Sequence, residues 1–69
     1  MYYEINVALD GQHFFATAER SITNPWNLRK ILKVFIQKFP ESEGYKISVT
    51  KWEKVGEELE IDYENLRRD

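Results

Sequence analysis

The chain has 69 residues, with 12 acidic and 10 basic side chains and a formal charge of −2 at pH 7. This length suits one small domain, and a content of 42% hydrophobic and 14% aromatic residues excludes a disordered segment. The absence of cysteine excludes a disulfide framework, and no apolar run approaches the ~20 residues of a membrane-spanning helix. Because Glu4 and Asp10 are acidic, the first residues do not resemble a secretory signal, and we expect a cytoplasmic protein.

Two strands are predicted at the start of the chain. Residues 2–9 alternate apolar and polar side chains, which is typical of a half-buried strand. Asp10-Gly11 then favours a two-residue hairpin turn, with a second strand over about residues 12–20. This register pairs Leu9 with Gln12, whereas a three-residue turn with a bulge would exchange the faces of Phe14 and Phe15.

The favoured register sorts the first hairpin into two faces. The inward face comprises Tyr3, Ile5, Val7, Leu9, Phe14, Ala16 and Ala18. The outward face comprises Tyr2, Glu4, Asn6, Ala8, His13, Phe15, Thr17 and Glu19.

A helix is predicted over about residues 25–39. Asn24 suits the N-cap, Pro25 fits the first helical position, and Pro40 ends the helix. The apolar stripe predicted to pack on the sheet is Leu28, Ile31, Leu32, Phe35 and Phe39.

Two further strands are predicted over residues 45–53 and 57–63, followed by a tail, residues 64–69, that adds a helical turn or frays. In the third strand Tyr45, Ile47 and Val49 face inward and Trp52 faces outward. The predicted fold is therefore α+β: a ββαββ two-layer sandwich, with a four-stranded antiparallel sheet in order 2-1-3-4 and one helix on one face.

The open face of this sheet is the predicted partner-binding surface. It should display Phe15 and Trp52 as anchors, with Tyr2 and His13 beside them. Exposed aromatic side chains commonly anchor protein interfaces. The alternative is that they only stabilise neighbouring strands, or that the C-terminal tail covers them.

A second candidate is a basic patch on the outer helix face, comprising Trp26, Arg29, Lys30 and Lys33, in which Trp26 would contact Lys30. It would suit an acidic partner or nucleic-acid phosphate, and the alternative, which the pattern favours, is an ordinary solvated helix face. Residues 57–69 carry six acids and two bases, which suits an edge strand protected by charge or a region that meets a basic partner.

No catalytic or metal-binding group can be assembled from this sequence. His13 is the single histidine, and no Ser-His-Asp or Cys-His grouping can be assembled around it. The three glycines form no phosphate-binding loop. We therefore predict a non-enzymatic protein without a cofactor.

The run from Phe14 to Ser21, together with Phe39-Pro40 and the stretch from Gly44 to Thr50, resembles small accessory proteins of bacteriophages and prophages. Such proteins often inhibit one host enzyme or defence complex, as anti-CRISPR proteins do. Residues 36–49 are also similar to the DNA-damage-inducible inhibitor of recombinase processing, but the long acidic C-terminal helix of that family is missing.

The resemblance implies a protein-binding inhibitor of a host protein, acting in the cytoplasm of a bacterial host. The alternatives are a nucleic-acid-binding accessory protein, which the net negative charge disfavours, and a self-associating protein that hides the aromatic face in a homodimer.

Overall fold

The computed structural model describes residues 1–67. Its elements in chain order are β1 (Tyr2–Leu9), β2 (Gln12–Ala16), α1 (Pro25–Lys38), a 3₁₀ turn (Glu41–Glu43), β3 (Tyr45–Trp52), β4 (Gly56–Leu59) and α2 (Tyr63–Arg67). The four strands form one antiparallel sheet in the order β2-β1-β3-β4. This confirms the predicted α+β fold and strand order.

The first hairpin has the favoured two-residue turn together with a bulge, which we expected only with a three-residue turn. Asp10 and Gly11 both adopt positive φ angles, 51° and 83°, as a tight hairpin turn requires. Beyond the turn, Ala8 lies opposite His13, but Val7 lies opposite Phe15. Phe14 is therefore an extra residue in β2, and the strand changes face at this point.

The bulge corrects the predicted faces of β2. Phe15 lies opposite the buried Val7 and belongs to the helix-covered face, so its predicted place on the open face is wrong. Ala16 lies opposite Asn6 and belongs to the open face, which reverses a second assignment. Thr17 was predicted to face outward, yet it follows the parity of Ile5, whose N–H donates to the Thr17 hydroxyl at 3.0 Å.

The predicted second strand is too long, because the chain leaves the sheet after Thr17 and returns at Ile22. Residues 18–21 form an exposed excursion in which Arg20 has a positive φ of 62°. The Ile22 carbonyl then accepts a 2.8 Å hydrogen bond from the Tyr3 N–H. Ile22 is only 1% exposed and is a core residue that the sequence pattern missed, whereas Ala18 is exposed and not inward as predicted.

The helix follows its prediction closely. The Asn24 side chain accepts a 2.9 Å hydrogen bond from the Asn27 N–H and caps α1, and Pro25 is its first residue. Leu32 is buried, and the other members of the predicted stripe pack partly buried against the core. Pro40 follows closely after the end of the helix at Lys38.

The C-terminal segment packs on the helix side of the sheet. β4 ends at Leu59 instead of continuing to Tyr63, and Asp62 caps α2 by accepting a 3.1 Å hydrogen bond from the Asn65 N–H. Leu66 is buried in the main core, and α2 contacts α1. The part of the tail that the structure describes therefore leaves the other sheet face uncovered; residues 68 and 69 of the predicted tail lie outside the described residues.

None of the helices in residues 1–67 has the length and apolar character needed to cross a bilayer.

Candidate functional site

One face of the sheet carries no helix in the described part of the chain, and we call it the open face. Strand register assigns it the side chains of alternate residues in each strand. These are Tyr2, Glu4, Asn6, Ala8, His13, Ala16, Lys46, Ser48, Thr50, Trp52 and Glu58, with Gly56 at the β4 position opposite Trp52. Most of this surface is polar, and its large rings gather at one corner.

Tyr2 and Trp52 form this aromatic corner. They lie directly opposite each other in β1 and β3, with ring centroids 6.4 Å apart and planes inclined by 24°. The indole also lies across β4: a Cβ on Gly56 would be 2.8 Å from Trp52 Cη2 and Cζ3. Only glycine therefore permits this close approach, and the indole is packed in place from two sides.

Hydrogen bonds fix the same corner. Trp52 Nε1 donates to Glu4 Oε1 at 3.3 Å, and Asn6 Nδ2 donates to the same oxygen at 3.1 Å. Glu4 thus accepts from two strands at once. Cross-strand pairs of this kind orient side chains at a sheet surface as well as stabilising it.

The phenol of Tyr2 has a perturbed pKa. Partial burial raises it most, the carboxylates of Glu19 and then Glu4 raise it further, and Arg20 offsets part of the effect. The phenol is neutral at pH 7. It therefore presents a neutral hydroxyl beside two acidic side chains.

The structure separates the four residues predicted to bind a partner. Tyr2 and Trp52 are together. His13 is on the open face as predicted, opposite Ala8, and is exposed. Ala8 is six residues along β1 from Tyr2, a distance of roughly 20 Å at ~3.3 Å per residue, so His13 is remote from the aromatic corner.

Phe15, the fourth predicted residue, lies in a cluster of aromatic side chains between the sheet and the end of α1. Its ring centroid is 5.5 Å from those of both Phe35 and Phe39. We call the whole set the five-ring cluster; its members are Phe14, Phe15, Phe35, Phe39 and Tyr45. Phe15 therefore packs the core from the helix side and is no anchor of the open face.

All four residues of the predicted basic patch lie on α1 and differ in exposure. Trp26 is 75% exposed at the first turn, and Lys30 is exposed one turn later. Lys33 is half-buried, and the Arg29 guanidinium donates to the Asn65 carbonyl at 3.3 Å, so Arg29 also joins α1 to α2. α1 contains no acidic residue. The predicted contact between Trp26 and Lys30 stays a prediction.

Two residues of the aromatic corner were absent from the predicted site. Glu4 was assigned only a face, and Gly56 only a turn. A strand register that places a glycine opposite a tryptophan is the signal that identifies Gly56, and Glu4 follows from its position two residues after Tyr2 on the same face.

Comparisons with known proteins give no match: no family model, no curated protein and no solved structure is significantly similar to this chain.

Proposed function

We propose that this chain is a non-enzymatic protein-binding module and that the aromatic corner of its open face anchors the partner. The observation that carries the proposal is a stacked, half-buried Tyr2–Trp52 pair, fixed by Glu4 and Gly56, on a sheet face that carries no helix in the described residues. Tryptophan and tyrosine are the side chains most enriched at the centres of protein interfaces. Because both rings are already ordered, binding costs little side-chain entropy.

The resemblance to phage accessory proteins supports a finer proposal. The partner would be one protein of a bacterial host, in the host cytoplasm, and the domain would inhibit it or a defence complex that contains it. A sheet face of this size suits blocking a partner's surface better than enclosing a substrate. His13 would lie at the far rim of the contact.

The test compares two tryptophans. Wild-type, Trp52→Ala and Trp26→Ala proteins are immobilised, and proteins captured from lysate of the source organism are identified by mass spectrometry and titrated in pure form. Trp52→Ala should weaken binding about 30-fold or more, as expected for an interface anchor. Trp26→Ala is the matched control, since Trp26 lies on the helix and is 75% exposed.

Folding is checked separately. Amide spectra of Trp52→Ala and of the milder Trp52→Phe must retain the dispersion of the native fold. Equal affinity of the folded Trp52→Ala protein and the wild type would refute the aromatic corner as the anchor. Self-association would appear as a dimer in sedimentation that Trp52→Ala dissociates, and it would replace the foreign partner in the proposal.

A second candidate function is nucleic-acid binding through the basic face of α1. Four bases, Arg29, Lys30, Lys33 and Lys38, and no acid occur in this helix, with the exposed Trp26 available for stacking. The same capture experiment separates the two functions. Capture that disappears after nuclease treatment, or in a Lys30→Gln/Lys33→Gln variant, would favour nucleic acid.

A further inference from the structure

The outer edge of β3 is only partly covered by a neighbouring strand. β1 pairs with β3 along its whole length, but β4 pairs only with residues 49–52 and ends at Leu59. The chain then leaves the sheet to form α2. In residues 1–67, the segment 45–48 of β3 therefore has no strand on its outer side.

The backbone of Ile47 faces this uncovered edge. In an antiparallel pair, residues alternate between bonding one neighbouring strand and the other. The Ile5 carbonyl accepts from Thr17 on the β2 side at 3.0 Å, so even-numbered residues of β1 bond β3. Their partners are the even-numbered residues of β3, whose N–H and C=O groups therefore point toward β1. Ile47 is odd-numbered, so its N–H and C=O point away from β1, toward the uncovered edge.

Among the described residues, no turn, loop or cap donates a backbone hydrogen bond to Ile47 or accepts one from it. Ile47 as a whole residue, backbone included, is only 6% exposed, so its surroundings hold it in an extended conformation. A strand edge held in this way is a template for another extended chain.

A groove of about 330 Å³ lies beside this edge. Ile47, Leu59 and Ile61 provide its apolar surface. Its charged lining residues are Glu41, Glu58 and Glu60 against the single Lys46, which leaves a net charge of −2. We call this feature the β3 edge groove.

We propose that the β3 edge groove binds an extended basic segment of a partner protein, which pairs with β3 as an added strand. Apolar residues of the segment would face Ile47 and Ile61, and the lysines or arginines between them would meet Glu58 and Glu60. The acidic lining selects this occupant over a second copy of the chain, because two copies paired at this edge would bring like charges together.

The probe is an acetylated and amidated octapeptide of alternating valine and lysine, titrated into the ¹⁵N-labelled protein. We expect saturable binding with a Kd below about 1 mM, weakening as salt rises from about 50 to about 300 mM. The Ile47 amide should exchange more slowly with solvent in the complex, because the added strand accepts its hydrogen bond. A valine–glutamate octapeptide should bind at least about fivefold more weakly.

Matched charge variants locate the contact. Glu58→Gln/Glu60→Gln should weaken the valine–lysine peptide about threefold or more, whereas Glu53→Gln/Glu64→Gln, with the same change in charge outside the groove, should not. All four residues are exposed, so these variants are expected to fold.

Three outcomes would overturn the proposal. They are no binding at about 1 mM peptide, binding without protection of the Ile47 amide, and equal effects of the two charge variants. Protection of Ile47 that rises with protein concentration alone would show that a second copy occupies the edge. Trp52→Ala should leave peptide binding unchanged, so failure here and failure of the proposed function are separate results.

Discussion

Aromatic side chains occupy two regions of this small domain, and the two regions differ in what surrounds them. The five-ring cluster lies between the sheet and α1, with neighbouring centroids 5.2 to 5.9 Å apart and edge-to-face or tilted rings. The aromatic corner lies on the opposite face, where two stacked rings meet a carboxylate and a glycine. One group joins secondary-structure elements, and the other lies on the sheet face that we propose as the binding surface.

Aromatic content alone therefore does not identify a binding surface. Phe15 and Trp52 look equivalent in the sequence, since both belong to strands and were predicted to face outward. Phe15 packs between α1 and the sheet. The contacts described for Trp52 are with Tyr2, Glu4 and Gly56, and none of these residues belongs to α1. Truncation of a ring in the five-ring cluster should lower stability more than truncation of a ring in the aromatic corner. Truncation in the aromatic corner should have the larger effect on partner binding.

The largest effect is expected for Phe39→Ala. Phe39 contacts four other rings of the five-ring cluster, so its truncation should lower the free energy of unfolding by about 3 kcal/mol. Tyr2→Ala removes one stacked neighbour at the corner and should cost about 1 kcal/mol. Urea unfolding followed by far-UV circular dichroism measures both.

A domain of this size has a total stability of only about 3–5 kcal/mol, so we expect Phe39→Ala to be partly or largely unfolded. Phe39→Leu then provides a folded variant with a smaller loss in the same direction, and Trp26→Ala is the exposed control, expected within about 0.5 kcal/mol of wild type. A Tyr2→Ala loss as large as that of Phe39→Ala would show that the corner is a structural element like the cluster.

Gly56→Ala should change the aromatic corner more than it changes stability. The new Cβ would meet the Trp52 indole, which can rotate outward at the surface, so a cost of about 1 kcal/mol is expected. The rotation breaks the hydrogen bond from Nε1 to Glu4. In a Trp26→Phe background, Trp52 fluorescence should shift to longer wavelength, and partner affinity should fall.

Val55→Ala is the control for that variant, since Val55 is a 75% exposed neighbour of Gly56 in the same turn. It should leave the Trp52 emission unchanged. Unchanged emission in Gly56→Ala as well would mean that the indole does not depend on the glycine opposite it.

Regular periodicity predicted most of the fold. β1 and β3 each have one covered and one open face, so strict alternation identifies them, and the helix has both a cap and an apolar stripe. Alternation does not assign Phe14 and Phe15 to faces, because either register of β2 places one phenylalanine inward and the other outward. The bulge brings both rings within reach of Phe39, and Phe14, which was predicted to face inward, stays 50% exposed.

The predictions for Ile22 and for the last strand were wrong for a different reason. A single apolar residue in a polar segment has no period, so the return of Ile22 to β1 depends on a contact that local pattern does not encode. The alternation from Glu57 onward continues past Leu59, but the chain leaves the sheet there, and Ile61 and Leu66 pack on the core. The candidate site was predicted only in part for the same kind of reason. Tyr2 and Trp52 follow the regular alternation of their strands, whereas Phe15 lies next to the bulge and does not.

The smallest predicted effect concerns the phenol of Tyr2. Its raised pKa results from partial burial first and the Glu19 and Glu4 carboxylates second. Glu19→Gln removes one of the carboxylates, so the pKa should fall toward the ordinary value of about 10 without reaching it. The ¹³Cζ chemical shift of Tyr2, followed with pH, measures this change, and Glu43→Gln is a control of equal charge that should leave it unaltered.

The sign of the linked stability follows from the direction of the shift. A raised pKa means that the folded protein holds the phenolic proton more tightly than the unfolded chain, so the contribution is complete below about pH 10 and is lost as pH rises through the folded value. Glu19→Gln should therefore flatten the alkaline loss of stability and change nothing at pH 7 through this group. A Tyr2 pKa that does not respond to Glu19→Gln would mean that the excursion at residues 18–21 does not approach the aromatic corner.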